Sequence, residues 1–310
     1  MNRMVAIDLK LSELLLFYKR MGVNFRESGN AEETERVIKG FSSIYETEPN
    51  TLSWMTAQRL DWPAIRASVV ICSVNAELPE NTDIVFIAVD KPKNAFALAL
   101  REYGPKFTPH GISDTAVIGT NCEIGEDVSI GEYVVIGNGV KIGDRTRIHS
   151  HVAIHDKSTI GRDCIVHNGV VIGTEGFGYE RNPDGTAFKI PHIGGVIIED
   201  GVEIGSNSCV ARGVLANTVI KKNTKIGNLT HISHNVTIGE NTMITHLAHI
   251  GGKLIIENDC WIAPGSVYKQ GLKIGQNSVT GLGAVVIRDV PPFDTVAGVP
   301  AKSIKKTSGE

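Results

Sequence analysis

The chain has little of what marks the commonest functional classes. Aromatic residues make up 6% of its 310 residues, and no apolar stretch reaches the length of a membrane span. Residues 1–22 hold one short apolar run broken by charges. This reads as a helix packed on a small domain rather than as a signal peptide. A net charge of −3 supplies no field to gather nucleic acid. The five cysteines, Cys72, Cys122, Cys164, Cys209 and Cys260, are odd in number, far apart and without metal-ligand spacing. They read as reduced, small buried hydrophobes of a cytoplasmic protein. There is no P-loop, no G-x-G-x-x-G following a strand and no zinc-ligand pattern, so no metal requirement is expected. Glycine, by contrast, is plentiful at 33 residues, and hydrophobic residues reach 42%. That balance suits a chain of many tight turns around a core of small and β-branched side chains.

The dominant signal is a repeat. From residue 112 an aliphatic side chain recurs every six positions: Ile112, Ile118, Ile124, Ile130, Ile136, Ile142, Ile148, Ile154, Ile160, Val166 and Ile172. A shorter series runs Ile198, Ile204, Val210. A third begins at Ile220 and, past Tyr268, continues through Ile274, Thr280 and Val286. The next residue is often glycine, as at Gly119, Gly125, Gly131 and Gly137. A helical period of 3.6 does not divide six, and a lone strand repeats every two residues. Six fits a three-sided coil of three hexapeptides per turn. Its stacked coils pair as parallel strands about 4.8 Å apart and enclose a column of Ile and Val. The small residue after each aliphatic one is expected to permit the corner.

Three regions follow. Residues 1–108 lack the repeat and mix expected helices (6–20 and 92–103) with apolar strands (67–73 and 82–89), a small α/β domain. Residues 109–288 form the coil, interrupted by an inserted loop at 174–197 and by a slip of about four residues between Val210 and Ile220. Asn182-Pro183-Asp184-Gly185 marks a turn within the loop. Residues 289–310, rich in proline and then basic, are expected to leave the coil and fold back along it. Insertions in such solenoids project on one face and carry function. The 174–197 loop supplies Phe177, Tyr179, Lys189 and His192 as candidate substrate contacts.

Histidine is the usual general base near neutral pH, and eight histidines cluster within the repeat. His149, His155 and His167 stand where corner glycines stand, which suits a structural role. His231, His234, His246 and His249 lie in the third series. His234 follows an interior Ile and would face outward.

Several segments resemble the UDP-3-O-acylglucosamine N-acyltransferases of lipid A synthesis: residues 173–179 (GTEGFGY), 189–205 (KIPHIGGVIIEDGVEIG), 211–213 and 231–242 (HISHNVTIGENT). Residues 50–73 resemble that family's nucleotide-recognising domain. The resemblance implies a left-handed parallel β-helix, with His234 of the I-x-H-N-V pattern as general base and Asn235 beside it. It also implies Trp54 as a base-stacking residue and Arg212 as a further substrate contact; His231 and His246, which would stand along the coil's walls, are read as candidate substrate contacts as well. Flat prism faces would pack as a homotrimer. Departures from the family pattern are Gly227 at the base-orienting aspartate, Ala211 in place of Asp before Arg212-Gly213, Gly271 at a second histidine, and Ala57 and Leu60 beside Trp54.

The close of the chain, residues 277–306, instead resembles short-chain sugar acetyltransferases. That implies acyl-CoA as co-substrate, held by Gly298, Pro300, Ala301, Lys302, Lys305 and Arg288; Gly265, Lys269 and Gly283 in the last coils are further candidate contacts to it. Bulky His246 and Leu247 suggest a shortened acyl channel. The expectation is therefore a cytoplasmic N-acyltransferase. It would move a short acyl group from acyl-CoA to the amine of a dTDP- or UDP-linked amino sugar for surface polysaccharide. Two alternatives stay open: the lipid A enzyme itself, using acyl carrier protein, and a non-catalytic or metal-binding β-helix. A hydroxyl acceptor also remains open.

Overall fold

The computed structural model describes residues 7–28, 34–56, 62–79 and 82–304. The chain divides into two compact units, Met1–Thr108 and Pro109–Glu310.

In the first unit, apolar side chains at Leu11, Leu14, Leu15 and Tyr18 recur at helical spacing and form the buried stripe of the helix Leu11–Arg20. Glu13 in its first turn and Lys19 and Arg20 in its last complement the helix dipole. This helix starts later than the sequence suggests because Leu9–Lys10 instead pairs with Val37–Ile38. The second helix, Pro92–Tyr103, opens on proline, whose fixed φ suits a first turn. The sheet order is Phe25–Ser28, Val85–Val89, Val69–Ser73, Thr51–Trp54, Gly40–Phe41, with only the first pair antiparallel. Val69–Cys72 and Val85–Ile87 are continuously apolar and buried, as central parallel strands covered on both sides should be.

The second unit is a parallel β-helix with three faces. Ile130 pairs with Ile148, Ile136 with Ile154 and Ile142 with Ile160, each 18 residues apart and thus one turn of three hexapeptides. Face one is the sheet that begins at Ser129–Ile130, face two contains Val117–Ile118, and face three contains Glu123–Ile124. The periodic Ile and Val residues from Ile130 to Ile274 point inward and are at most 3% exposed. Burying each contributes roughly 1.5–3 kcal/mol. Tyr268 takes one interior place, and its hydroxyl meets Thr280 Oγ1 at 2.6 Å inside the column.

The corner is not made where the sequence pattern suggests. Outside the two interruptions, the left-handed conformation falls three residues after the interior aliphatic, at Asn121, Asp127, Tyr133, Arg145, Leu229 and Asn235 among others. The small residue directly after the aliphatic serves another purpose. A Cβ at Gly131 would come within 2.8 Å of the Ser150 amide one coil on, so glycine there permits the coils to stack closely.

Both interruptions fall at one edge of the prism, where face two turns into face three. Ile172 pairs with Val210 across 38 residues instead of 18, and Val210 with Ile232 across 22. The longer insertion contains a hairpin, Tyr179–Arg181 against Ala187–Lys189, closed by a turn with Gly185 at φ +86°.

The tail corrects the sequence expectation. Residues 289–297 do not leave the coil. Val290 and Val296 take interior places, and Thr295–Ala297 adds a parallel strand beside Val279–Thr280. Only then does Lys302–Ser303 fold back, antiparallel to it.

Candidate active site on one prism edge

The 18-residue period stacks corner residues from successive coils above one another, so residues distant in sequence meet along one edge. Between faces two and three these are the 174–195 loop, the 212–217 bulge, His234-Asn235, Gly252-Lys253 and Gln270. They enclose a cleft of about 740 Å³ whose lining includes Phe177, Tyr179, His192, His234, Asn235 and Lys253.

His234 is half-buried on this edge. Its Nδ1 lies 3.1 Å from Asn235 Oδ1, and the same oxygen accepts the Val214 N–H at 3.0 Å. An amide oxygen only accepts, so Nδ1 carries the proton and Nε2 is left as the basic nitrogen. Asn235 can turn its side chain this way because its backbone is left-handed, φ +59°, and its N–H is anchored to Thr218 Oγ1 at 2.9 Å. Position 227 lies on the edge between faces one and two, where a Cβ would stand 2.8 Å from His246 Nδ1, so the side chain that touches His234 Nδ1 is its neighbour Asn235. Gly252, one coil on, faces the basic nitrogen: a Cβ there would stand 2.8 Å from Nε2.

His192 arrives from the inserted loop and is 2% exposed. Its Nδ1 donates to the Ile190 carbonyl at 2.9 Å, and its ring stands edge-on to His234, centroids 5.2 Å apart. Phe177, 89% exposed, and Tyr179 pack together at the mouth with ring centroids 4.9 Å apart. Lys189 pairs with Glu175 at the base of the loop, which holds the Lys189 ammonium above its ordinary pKa and the Glu175 carboxyl below its own.

Of the other expected site residues, Arg212 sits on this same edge and the rest lie elsewhere. Arg212 is spent on structure: Nε donates to the Gly173 carbonyl at 2.6 Å and Nη2 to that of Asp156 at 2.9 Å, stitching the loop to its coil. His246 stands at a different edge, between faces one and two, where its Nδ1 accepts the Asn228 N–H at 3.1 Å. His231 stacks on His249 at 5.3 Å on the outside of face two, and burial, followed by His249, holds its pKa below the usual value. Trp54 belongs to the first unit. There it lines a hollow of about 310 Å³ with Phe41, Tyr45, Met55 and Phe96. Ala57 and Leu60 lie outside the described residues.

The expected donor contacts are divided. Lys269 and Arg288 continue the cleft edge, whereas Gly265 and Gly283 stack on the edge between faces one and two. Arg288, Ala301 and Lys302 line a hollow of about 250 Å³ that also holds Asp289 and Asp294. The Gly298 carbonyl and the Ala301 N–H bond to the backbone of Val285, with Pro300 exposed between them. Lys305 lies outside the described residues. Sequence reasoning did not single out Lys253, Gln270, Gly176 or Gly252; the 18-residue stacking of the corners was the signal that could have found Lys253 and Gly252. Among the described residues no three His, Cys, Asp or Glu side chains gather to hold a metal ion, and no helix is long and apolar enough to cross a membrane.

A three-faced coil of this kind is the architecture of the hexapeptide-repeat transferases. The family profile described as bacterial transferase hexapeptide (six repeats) matches residues 111–144, 139–174 and 217–252. A UDP-3-O-acylglucosamine N-acyltransferase of Caulobacter sp. (strain K31) is 34% identical over 147 residues, 47% of this chain and 43% of the relative. One of Rhizobium meliloti (strain 1021) is 34% identical over 299 residues, covering 87% of this chain and 84% of the relative. The UDP-N-acetylglucosamine acyltransferase of Francisella novicida superposes with a TM-score of 0.57 at 25% identity, covering 62% of this chain and 68% of that one. The chain matches less than half the length of the Caulobacter relative and most of the Rhizobium one. It belongs to the UDP-3-O-acylglucosamine N-acyltransferase family.

Proposed function

We propose that the chain transfers an acyl group from a thioester on acyl carrier protein to the amine of UDP-3-O-acylglucosamine, the acceptor for which its relatives are named. The observation that carries this reading is His234, lining the cleft with its Nδ1 held by Asn235 Oδ1. The amine nitrogen attacks the thioester carbon, the C–N bond forms and the C–S bond breaks. Nε2 takes the amine proton and returns it to the departing thiolate. Such base catalysis is worth roughly 10²–10⁴-fold. The Gly252 amide at the facing corner supplies a donor for the oxyanion, and the cleft holds the acceptor so that much of the remaining work is positioning. The aromatic hollow around Trp54 and Tyr45 suits a nucleobase. A cytoplasmic homotrimer is part of this reading, its subunits meeting through prism faces around a threefold axis, as closed homo-oligomers do.

The second reading, a short acyl-CoA donor with another nucleotide-linked amino sugar, is favoured by the C-terminal hairpin, which sets Arg288 and Lys302 in one hollow. Product mass separates the two. The protein is offered acetyl, hydroxybutyryl and long-chain donors on CoA and on carrier protein, with UDP- and dTDP-linked amino sugars. A long-chain amide formed from carrier protein alone supports the first reading; a short-chain amide formed from CoA alone replaces it with the second.

A further inference from the structure

Two imidazoles, not one, present an unprotonated nitrogen here. With Nδ1 of His192 donating to the Ile190 carbonyl, its Nε2 carries a lone pair. Among the described residues it is the buried side-chain nitrogen or oxygen with no hydrogen-bond partner. A buried acceptor left without a donor is unfavourable, and one that lines a cleft is explained by a ligand that completes it. The two rings stand at 84° to each other, and Gly176 lies against both. A Cβ at Gly176 would meet His192 Nε2 and His234 Cδ2 each at 3.1 Å, so glycine keeps the gap between the rings free of a side chain.

We propose that His192 Nε2 is a second hydrogen-bond acceptor for the acceptor amine, and that the histidine pair selects an amine over a hydroxyl. This rests on His234 acting as the base. A neutral amine offers two N–H groups and one lone pair. One N–H goes to His234, which takes that proton as the C–N bond forms and the C–S bond breaks. The other stays hydrogen-bonded to His192, which keeps no proton. A hydroxyl has one hydrogen and, once that is given to His234, nothing for His192.

The test compares UDP-3-O-acylglucosamine with UDP-3-O-acylglucose, which carries a hydroxyl in place of the amine. His192→Phe keeps a ring but removes the lone pair, and His192→Gln returns a carbonyl oxygen; the melting temperature of each variant confirms folding. The expected result is a loss of about 10–100-fold in kcat/KM for the amine in His192→Phe. Little change is expected for the hydroxyl, and His192→Gln recovers most of the loss. Equal losses on both acceptors, or none, overturn the proposal. A second readout needs no turnover: in His234→Ala protein, the imidazole ¹⁵N signal of His192 Nε2 shifts with UDP-glucosamine and not with UDP-glucose. If that amine-specific shift occurs while wild-type protein transfers no acyl group, the pair stands as an amine-binding device and the proposed reaction falls. An unmoved signal with both sugars overturns the pair itself.

Discussion

Asn235 Oδ1 accepts two N–H groups at once, from His234 Nδ1 at 3.1 Å and from Val214 at 3.0 Å. One amide therefore fixes the tautomer of the His234 imidazole and pins the short insertion beside it. Replacing Asn235 by glycine keeps a residue that tolerates φ +59° while removing this clamp. The expected outcome in steady-state kinetics is a kcat lowered by about 10–100-fold, within the range attributable to a general base, with KM nearly unchanged.

Gly252→Ala sets a methyl group 2.8 Å from His234 Nε2, at a residue whose backbone any side chain can adopt. The imidazole must turn aside, so turnover falls by roughly two orders of magnitude. The melting temperature changes little, because the methyl meets the end of a side chain rather than backbone. Activity and thermal unfolding measured on the same preparation separate this outcome from general damage.

Tyr268 and Thr280 are polar members of the interior column, and burial raises the Tyr268 phenol far above the usual range. Tyr268→Phe deprives the buried Thr280 hydroxyl of its 2.6 Å partner and should cost about 1–2 kcal/mol in chemical denaturation. Tyr268→Phe with Thr280→Val should recover most of that loss, since removing both partners leaves no buried polar atom unpaired.

His149 and His231 have their pKa values lowered below 6.5, first by burial and then by the histidines stacked on them, His167 and His249. His149 also faces Arg147, His110 and Glu203. The unfolded chain takes up protons that the folded one refuses, so the stability present above pH 6.5 is lost as pH falls through the folded values. The melting temperature should decline from about pH 7 to about pH 5, and the double variant His149→Gln, His231→Gln should flatten that decline.

The prism was legible in the sequence because its interior places Ile and Val at a strict interval, and each failure has a physical cause. The left-handed corner residue includes Tyr133, Arg145 and Leu229 as well as Asn, Asp and Gly, so composition does not reveal it. The tail read as an exit from the coil because the paired prolines Pro291 and Pro292 hide Val290 and Val296, which still reach the interior. In the cleft, the sequence pattern singled out His234, which lies on its lining. The contact of Asn235 Oδ1 with His234 Nδ1 was not legible, since neighbours in sequence meet this way at a left-handed corner. Lys253 was hidden in one dimension because it joins the cleft by stacking one coil, 18 residues, beyond Asn235. Arg212 read as a substrate contact because nothing in sequence shows the Gly173 and Asp156 carbonyls that occupy it.

The most direct measurement is thiol release from long-chain acyl carrier protein in the presence of UDP-3-O-acylglucosamine, for wild-type protein and for His234→Ala, with the product weighed by mass spectrometry. The account predicts an amide product from wild type and a rate lower by about 10²–10⁴-fold in the variant. Turnover of His234→Ala within a few-fold of wild type would contradict the assignment of His234 as the base.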